Sequence, residues 1–230
     1  MISNLLRRIL VLGIFLAALG SGGQAMEEAP VNQQAPLETL RKLRDGNLRF
    51  AGDHASRHHQ SKTWRERLTT SQHPEAIILG CADSRVPPEL LFDAGFGDLF
   101  VVRVAGNTVD LNVAASIDYA YLHTGSRLVV VLGHENCGAV TAALGDYQGE
   151  VLPIQFLLKQ IVPALTDLPA GDAMQRVSAG VVANVRQSVR ELQQMAAKSG
   201  AVARGELIIV GAVYDLETNV VKFLDPPPGL

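Results

Sequence analysis

Cysteine is scarce in this chain: two among 230 residues, Cys81 and Cys137. At most one disulfide can form, so no framework of bridges holds the fold. Excess positive charge is also missing, with 20 Lys+Arg against 23 Asp+Glu, and nothing suggests a basic face for nucleic acid. Beyond the N-terminus no apolar run is long enough to cross a bilayer. No internal repeat is present. What remains is the reading of a mildly acidic, soluble chain with enough residues for one sizeable core.

The first residues do carry a pattern. Arg7 and Arg8 precede the apolar stretch Ile9–Leu19, and Gly23-Gln24-Ala25 follows as a small-x-small cleavage site. This reads as a secretory signal peptide over residues 1–25, too short for a typical span. An uncleaved anchor is the alternative. No cysteine follows the apolar stretch, which excludes a lipoprotein. Cleavage leaves 205 residues with a net charge of −5, and the expected location is the periplasm. Residues 26–36 read as a mobile lead-in, and 37–230 as a single domain.

Along that domain strands and helices alternate. A helix is expected from Pro36 to Phe50, with Gly46 as its weak point, and a short one at TWRERLTT. AIILGC, LFVVRVAG, RLVVVLG and ELIIVGAVY read as strands, with a turn at Glu217–Asn219 and a further strand beyond. LNVAASIDYAYLH, VLPIQFLLKQIVPAL and the stretch from Asp172 read as helices. The expected fold class is α/β: a mainly parallel sheet of about four strands flanked by helices, with an additional edge strand and an N-terminal helical arm.

Cys81, His134 and Cys137 all fall where expected strands end, the edge at which open α/β sheets bind ligands. Two sulfurs and an imidazole suit zinc, and three protein ligands leave a fourth position open, as in catalytic sites. Asp83 is near enough to compete for that position. Arg85, always charged and able to grip a carboxylate with two prongs, would turn Asp83 away. A plain Cys81–Cys137 disulfide is the bland alternative, disfavoured by the neighbours of both cysteines.

C-A-D-S-R at 81–85 followed by H-E-N-C-G at 134–138 resembles the β-class carbonic anhydrases, with their C-x-D-x-R and H-x-x-C. The similarity extends over roughly residues 37 to 225. The resemblance implies one Zn²⁺ per chain on Cys81, His134 and Cys137, with Asp83 and Arg85 as the catalytic dyad. Asp83 would ligate the metal only in a closed form. It further implies substrate contacts from Gln72, Phe100 and Tyr119, and a Gly138 N–H near bound bicarbonate. Relatives inhibited by bicarbonate carry tryptophan three residues before the first cysteine. Here that residue is Ile78, although Arg103 and Tyr214 match the same inhibitory pocket. The open form is therefore favoured, with a pH-gated form as the alternative. A homodimer or homotetramer, with the N-terminal helix embracing a neighbour, is also implied.

The expected activity is reversible hydration of carbon dioxide to bicarbonate by zinc-bound hydroxide, rising on the alkaline side because two thiolates cancel the metal's charge. Hydrolysis of carbonyl sulfide or carbon disulfide, and a non-catalytic zinc or redox protein, are the competing readings. His54, His58 and His59 are read as a solvated loop, because no acid or thiol completes a ligand set. Trp64 is read as packing, His123 as a helix-end residue, and Glu135 as facing solvent or a partner.

Overall fold

In the computed structural model the described residues are 36–197 and 200–225. The signal segment, and all of the lead-in except Pro36, lie outside them. The apolar runs form strands: Ala76–Gly80 (β1), Leu99–Arg103 (β2), Leu128–His134 (β3), Ile208–Tyr214 (β4) and Val221–Leu224 (β5). They make one sheet in the order β2-β1-β3-β4-β5. The first four are parallel and β5 returns antiparallel.

Every residue of β1 and β3 is buried, which is why these strands read as unbroken aliphatic runs. Their side chains still alternate between two cores. Ile78, Val130, Leu132 and Ala212 pack on one face with Leu40, Val86, Leu91 and Phe92. Ile77, Leu79, Val129, Val131 and Ile209 pack on the other with Val113, Ile117 and Val185. Each fully buried aliphatic side chain contributes about 1.5–3 kcal/mol relative to exposure.

The helices cover both faces. Pro36–Ala51 (α1) and the short Pro88–Leu91 (α3) lie on the first; Leu111–His123 (α4) and Ala173–Ala197 (α7) lie on the second. Lys62–Arg67 (α2) sits in the long connection before β1, and Ser61 caps it by accepting from the Trp64 N–H. Gly138–Leu144 (α5) and Leu152–Ile161 (α6) follow β3. A 3₁₀ turn, Val162–Leu165, ends the second of these where Pro163 lacks an N–H. The expected turn at Glu217–Asn219 is present: Asp215 Oδ1 accepts from the N–H groups of Glu217 and Thr218, and Asn219 takes φ 62°.

One expectation about α1 needs correction. It does not weaken at Gly46 but runs through to Ala51. Gly46 lies against the Phe92 carbonyl, where any Cβ would collide, so glycine is there for a close approach. On its inner face Leu40 and Leu43 sit in the chain's own core. Its outer face is exposed, including Arg41, Lys42 and Asp45. Asn47 locks the arrangement. Its Nδ2 donates to the carbonyls of Leu91 and Asn219, and its Oδ1 accepts from Val221 N–H at 2.7 Å.

Asn47→Ala would leave three main-chain groups without partners. A loss of about 2–4 kcal/mol is expected in urea unfolding, given the cost of unpaired buried polar groups. A loss under about 0.5 kcal/mol, ordinary for surface positions, would show that this lock is not needed.

Candidate metal centre

Parallel pairing of β1 with β3 sets Gly80 opposite Leu132. Cys81, one residue past β1, thus leaves the sheet beside the end of β3, which is His134. The chain then turns through Asn136, whose φ of 53° is in the left-handed region that asparagine tolerates. That turn brings Cys137 back as the residue preceding α5. One ligand atom from each of Cys81, His134 and Cys137 lies within 4.8 Å of the others, and all three residues are buried. Tetrahedral zinc, bonded at about 2.3 Å to sulfur and about 2.0–2.1 Å to imidazole nitrogen, spaces its ligand atoms by about 3.5–3.8 Å. The two cysteines are not joined in a disulfide.

The imidazole is oriented for a metal. His134 Nδ1 donates to the Glu135 carbonyl at 2.8 Å, which places the lone pair on Nε2. That atom is buried and has no hydrogen-bond partner. A ligating histidine whose other nitrogen is fixed by a carbonyl is the usual arrangement in metal sites. The sulfurs make the same demand. The Cys137 thiol, hydrogen-bonded to the Cys81 sulfur, pushes Cys81 well below the usual thiol range. The Cys81 thiolate and burial together hold Cys137 well above the thiol range. The pair sheds one proton readily and two only against a cation. Gly106 N–H also donates to Cys81 Sγ at 3.3 Å. The donor set and its orphaned nitrogen fit zinc.

Asp83 is turned aside. Its Oδ1 accepts from the Arg85 main-chain N–H at 2.9 Å and from Arg85 Nε at 3.0 Å, and its Oδ2 from Arg85 Nη2 at 2.8 Å. Its Oδ2 is 3.7 Å from His134 Nε2, so the carboxylate borders the ligands while being held by the guanidinium. Bonding to Arg85 holds the Asp83 carboxyl well below the usual carboxylate range. Arg103 steadies the loop from behind, donating to the carbonyls of Cys81 and Asp83.

A family profile described as carbonic anhydrase matches residues 76–221. The chain is 39% identical over 186 residues to carbonic anhydrase 2 of Mycobacterium tuberculosis, covering 79% of this chain and 89% of that one. The chain belongs to the β-carbonic anhydrase family. The Pseudomonas aeruginosa carbonic anhydrase is 34% identical over 203 residues, covering 81% and 88% of the two chains. The Coccomyxa β-carbonic anhydrase, solved with acetazolamide, superposes with a TM-score of 0.66 at 30% identity over 83% of this chain and 87% of that one. A tetrameric β-carbonic anhydrase of Sordaria macrospora gives 0.64 at 28% identity over 82% and 98%.

Membership of the carbonic anhydrases does not put every expected residue in one place. Gly138 opens α5 beside the ligands, with open space around it. Gln72 does not join them. It lies in the exposed segment before β1, separated from Cys81 by the whole strand, about 16 Å. Phe100 on β2 pairs with Ile77, and its ring centroid is 6.5 Å from that of the exposed Tyr119 on α4. Within one chain this pair also stands back from the metal ligands. The positions matching an inhibitory bicarbonate pocket are otherwise engaged: Ile78 is in the core, Arg103 holds two carbonyls, and Tyr214 donates to Asn219 Oδ1 at 2.7 Å. Sequence reasoning missed Asn184, buried in mid-α7, whose Nδ2 donates to the Gly106 carbonyl at 2.7 Å and so props the turn that serves Cys81. A lone asparagine in a helix gives no local sign of this.

Arg85→Ala should return the Asp83 carboxyl toward about 3.9, measurable by carboxyl-carbon NMR titration. A depressed folded value contributes stability that is present above about pH 3.9 and lost as pH falls through the folded value. The variant should therefore show less acid-dependent loss of stability than the parent. An unchanged Asp83 titration would show that Arg85 does not set it.

Proposed function

We propose that this chain is a zinc-dependent carbonic anhydrase with an open site, exported by its N-terminal segment. The observation that carries the reading is the pairing of an orphaned His134 Nε2 with an Asp83 carboxylate fully engaged by Arg85. Cys81, His134 and Cys137 would hold the metal. When bound there, zinc supplies Lewis acidity that makes hydroxide available near neutral pH, less strongly with two thiolate ligands than with three imidazoles.

The remaining work falls to the protein's own groups. Asp83, kept ionised, accepts the O–H of the attacking oxygen and aims its lone pair at the carbon of carbon dioxide. Arg85 fixes that carboxylate by two prongs, so it cannot swing to the ligand cluster and close it. The N–H of Gly138, at the start of α5, would meet an oxygen of the bicarbonate product. Val140, Leu158 and Ile161 pack around the two cysteines and keep that side dry.

The expected experiment uses the mature protein, with its N-terminus at Met26 by mass spectrometry and its metal counted. Carbon dioxide hydration followed by stopped flow should rise smoothly with pH on the alkaline side. Asp83→Ala and Arg85→Ala should each lose about 100-fold or more, the scale of a positioned proton acceptor. Cys81→Ser should lose the metal as well. Abrupt loss of hydration near neutrality would instead identify Asp83 as a gate. Zinc without hydration would redirect the reading to sulfur-containing analogues of carbon dioxide.

The substrate pocket is completed by a second copy. Gln72, Phe100 and Tyr119 stand away from their own chain's metal ligands. Exposed Leu111, Leu122, Leu152 and Phe156 offer apolar surface for association. Sedimentation equilibrium should give a dimer or a tetramer. A monomer hydrating carbon dioxide at full rate would remove the need for the partner.

A further inference from the structure

Three of the chain's six histidines lie between residues 54 and 59. Read locally they lack an acid; the fold supplies one from 39 residues further on. His59 Nδ1 is 2.7 Å from Asp98 Oδ1, and His58 Nε2 is 3.2 Å from Asp98 Oδ2. One ligand atom each from His58, His59 and Asp98 lies within 4.8 Å of the others, whereas His54 stays outside. The loop is exposed, as expected, but the expectation that no acid completes a ligand set is corrected by Asp98.

The hydrogen-bond network fixes which nitrogen of His58 carries a proton. Asp93 accepts from Arg49 Nε at 2.7 Å and from the N–H groups of Ser56 and Arg57. Burial pushes its carboxyl up, but these donors outweigh that and hold it ionised. The Ser56 hydroxyl, 2.8 Å from Asp93 Oδ2, must therefore donate its single proton there. His58 Nδ1, 2.8 Å from the same hydroxyl, must then donate to it. In the neutral ring this leaves Nε2 as a bare lone pair facing a carboxylate oxygen. Two acceptors in contact require a cation between them, either a proton on the ring or a metal ion.

The surroundings favour the metal. The His59 ring is stacked on Trp64 with centroids 3.7 Å apart and planes within 5°. The indole Nε1 is tied to the Phe96 carbonyl at 2.8 Å. Asp98 Oδ2 is positioned by the Gly95 N–H at 2.7 Å. The histidine loop is seated so closely that a Cβ on Gly95 would strike the His58 carbonyl and the His59 Cβ. The imidazoles are nevertheless reachable, with side chains 40% and 35% exposed. They border a cavity of about 360 Å³ that has room for a water ligand. Its nearby cations are engaged, Arg49 with Asp93 and Lys42 with Glu75.

We propose that His58, His59 and Asp98 form a second metal site, for a divalent transition cation and zinc foremost. Two imidazoles and a carboxylate are a ligand set that zinc accepts, and Ser56 supplies the outer hydrogen bond that orients His58. Asp98 immediately precedes Leu99, which pairs with Ala76. The site is therefore at the opposite end of β1 from Cys81, about 16 Å along the strand. Its occupant would staple the loop before α2 to the one before β2.

The test is a titration of the mature protein, dialysed with its resident metal retained, using zinc chloride followed by calorimetry and metal counting after gel filtration. Wild type should bind one zinc per chain more than Cys81, His134 and Cys137 account for. His58→Ala and Asp98→Asn should weaken that extra binding about tenfold or more, as should Ser56→Ala. Cys81→Ser should keep it, which separates this site from the thiolate centre. With cobalt(II), the extra ion should add ligand-field bands without sulfur-to-metal charge transfer. The proposal is overturned if wild type takes up no additional zinc. It is equally overturned if the additional zinc persists unchanged in both His58→Ala and Asp98→Asn.

Discussion

The parallel pairing of β1 with β3 is the constraint on which the rest depends. It makes two segments more than fifty residues apart end at the same edge, so that Cys81 and His134 emerge side by side. Parallel strands need a crossover, and here β2 and α4 fill it on the way. The two central strands are sealed by core on both faces, which leaves their ends as the places where polar side chains can gather. A slip of one residue between them would turn every side chain of β1 to the opposite face.

Around that edge the polar groups fall into an order of dependence. His134 is aimed by a carbonyl, Cys81 is steadied by the Gly106 N–H, and Gly106 is held by Asn184 from α7. Asp83 is fixed by Arg85, while Arg103 clamps the two carbonyls beneath. Each outer contact restricts an inner one, so the innermost groups carry little freedom of their own. Preorganisation of this kind would let Asp83 sit beside a bound metal without becoming a ligand.

The opposite edge shows a parallel logic with different chemistry. There the donors are nitrogen and oxygen, the support is an ionised Asp93 acting through Ser56, and the ring clamp is Trp64. The sheet thus presents a soft ligand set at one end of β1 and a harder one at the other. Either set suits zinc, which the thiolates would hold more covalently.

Much of this was legible in the amino-acid order. The aliphatic runs marked the strands because a strand buried on both faces admits little else. The C-A-D-S-R and H-E-N-C-G stretches marked the centre, because their donors are local to the turns that carry them. Other features have no local signature. Gly46 reads as a helix breaker until Phe92 is found against it, and Asn184 reads as an ordinary helix polar residue until Gly106 is found beneath it. Gln72 lies nine residues before Cys81, yet an extended strand puts those residues at opposite ends of the sheet. His58 and His59 acquire Asp98 only through folding. The sequence by itself determined which segments are buried and which turns bear the candidate metal ligands, since both follow from short-range pattern. Only the tertiary structure decided which distant groups meet, because strand register and loop docking are collective properties of the packed core.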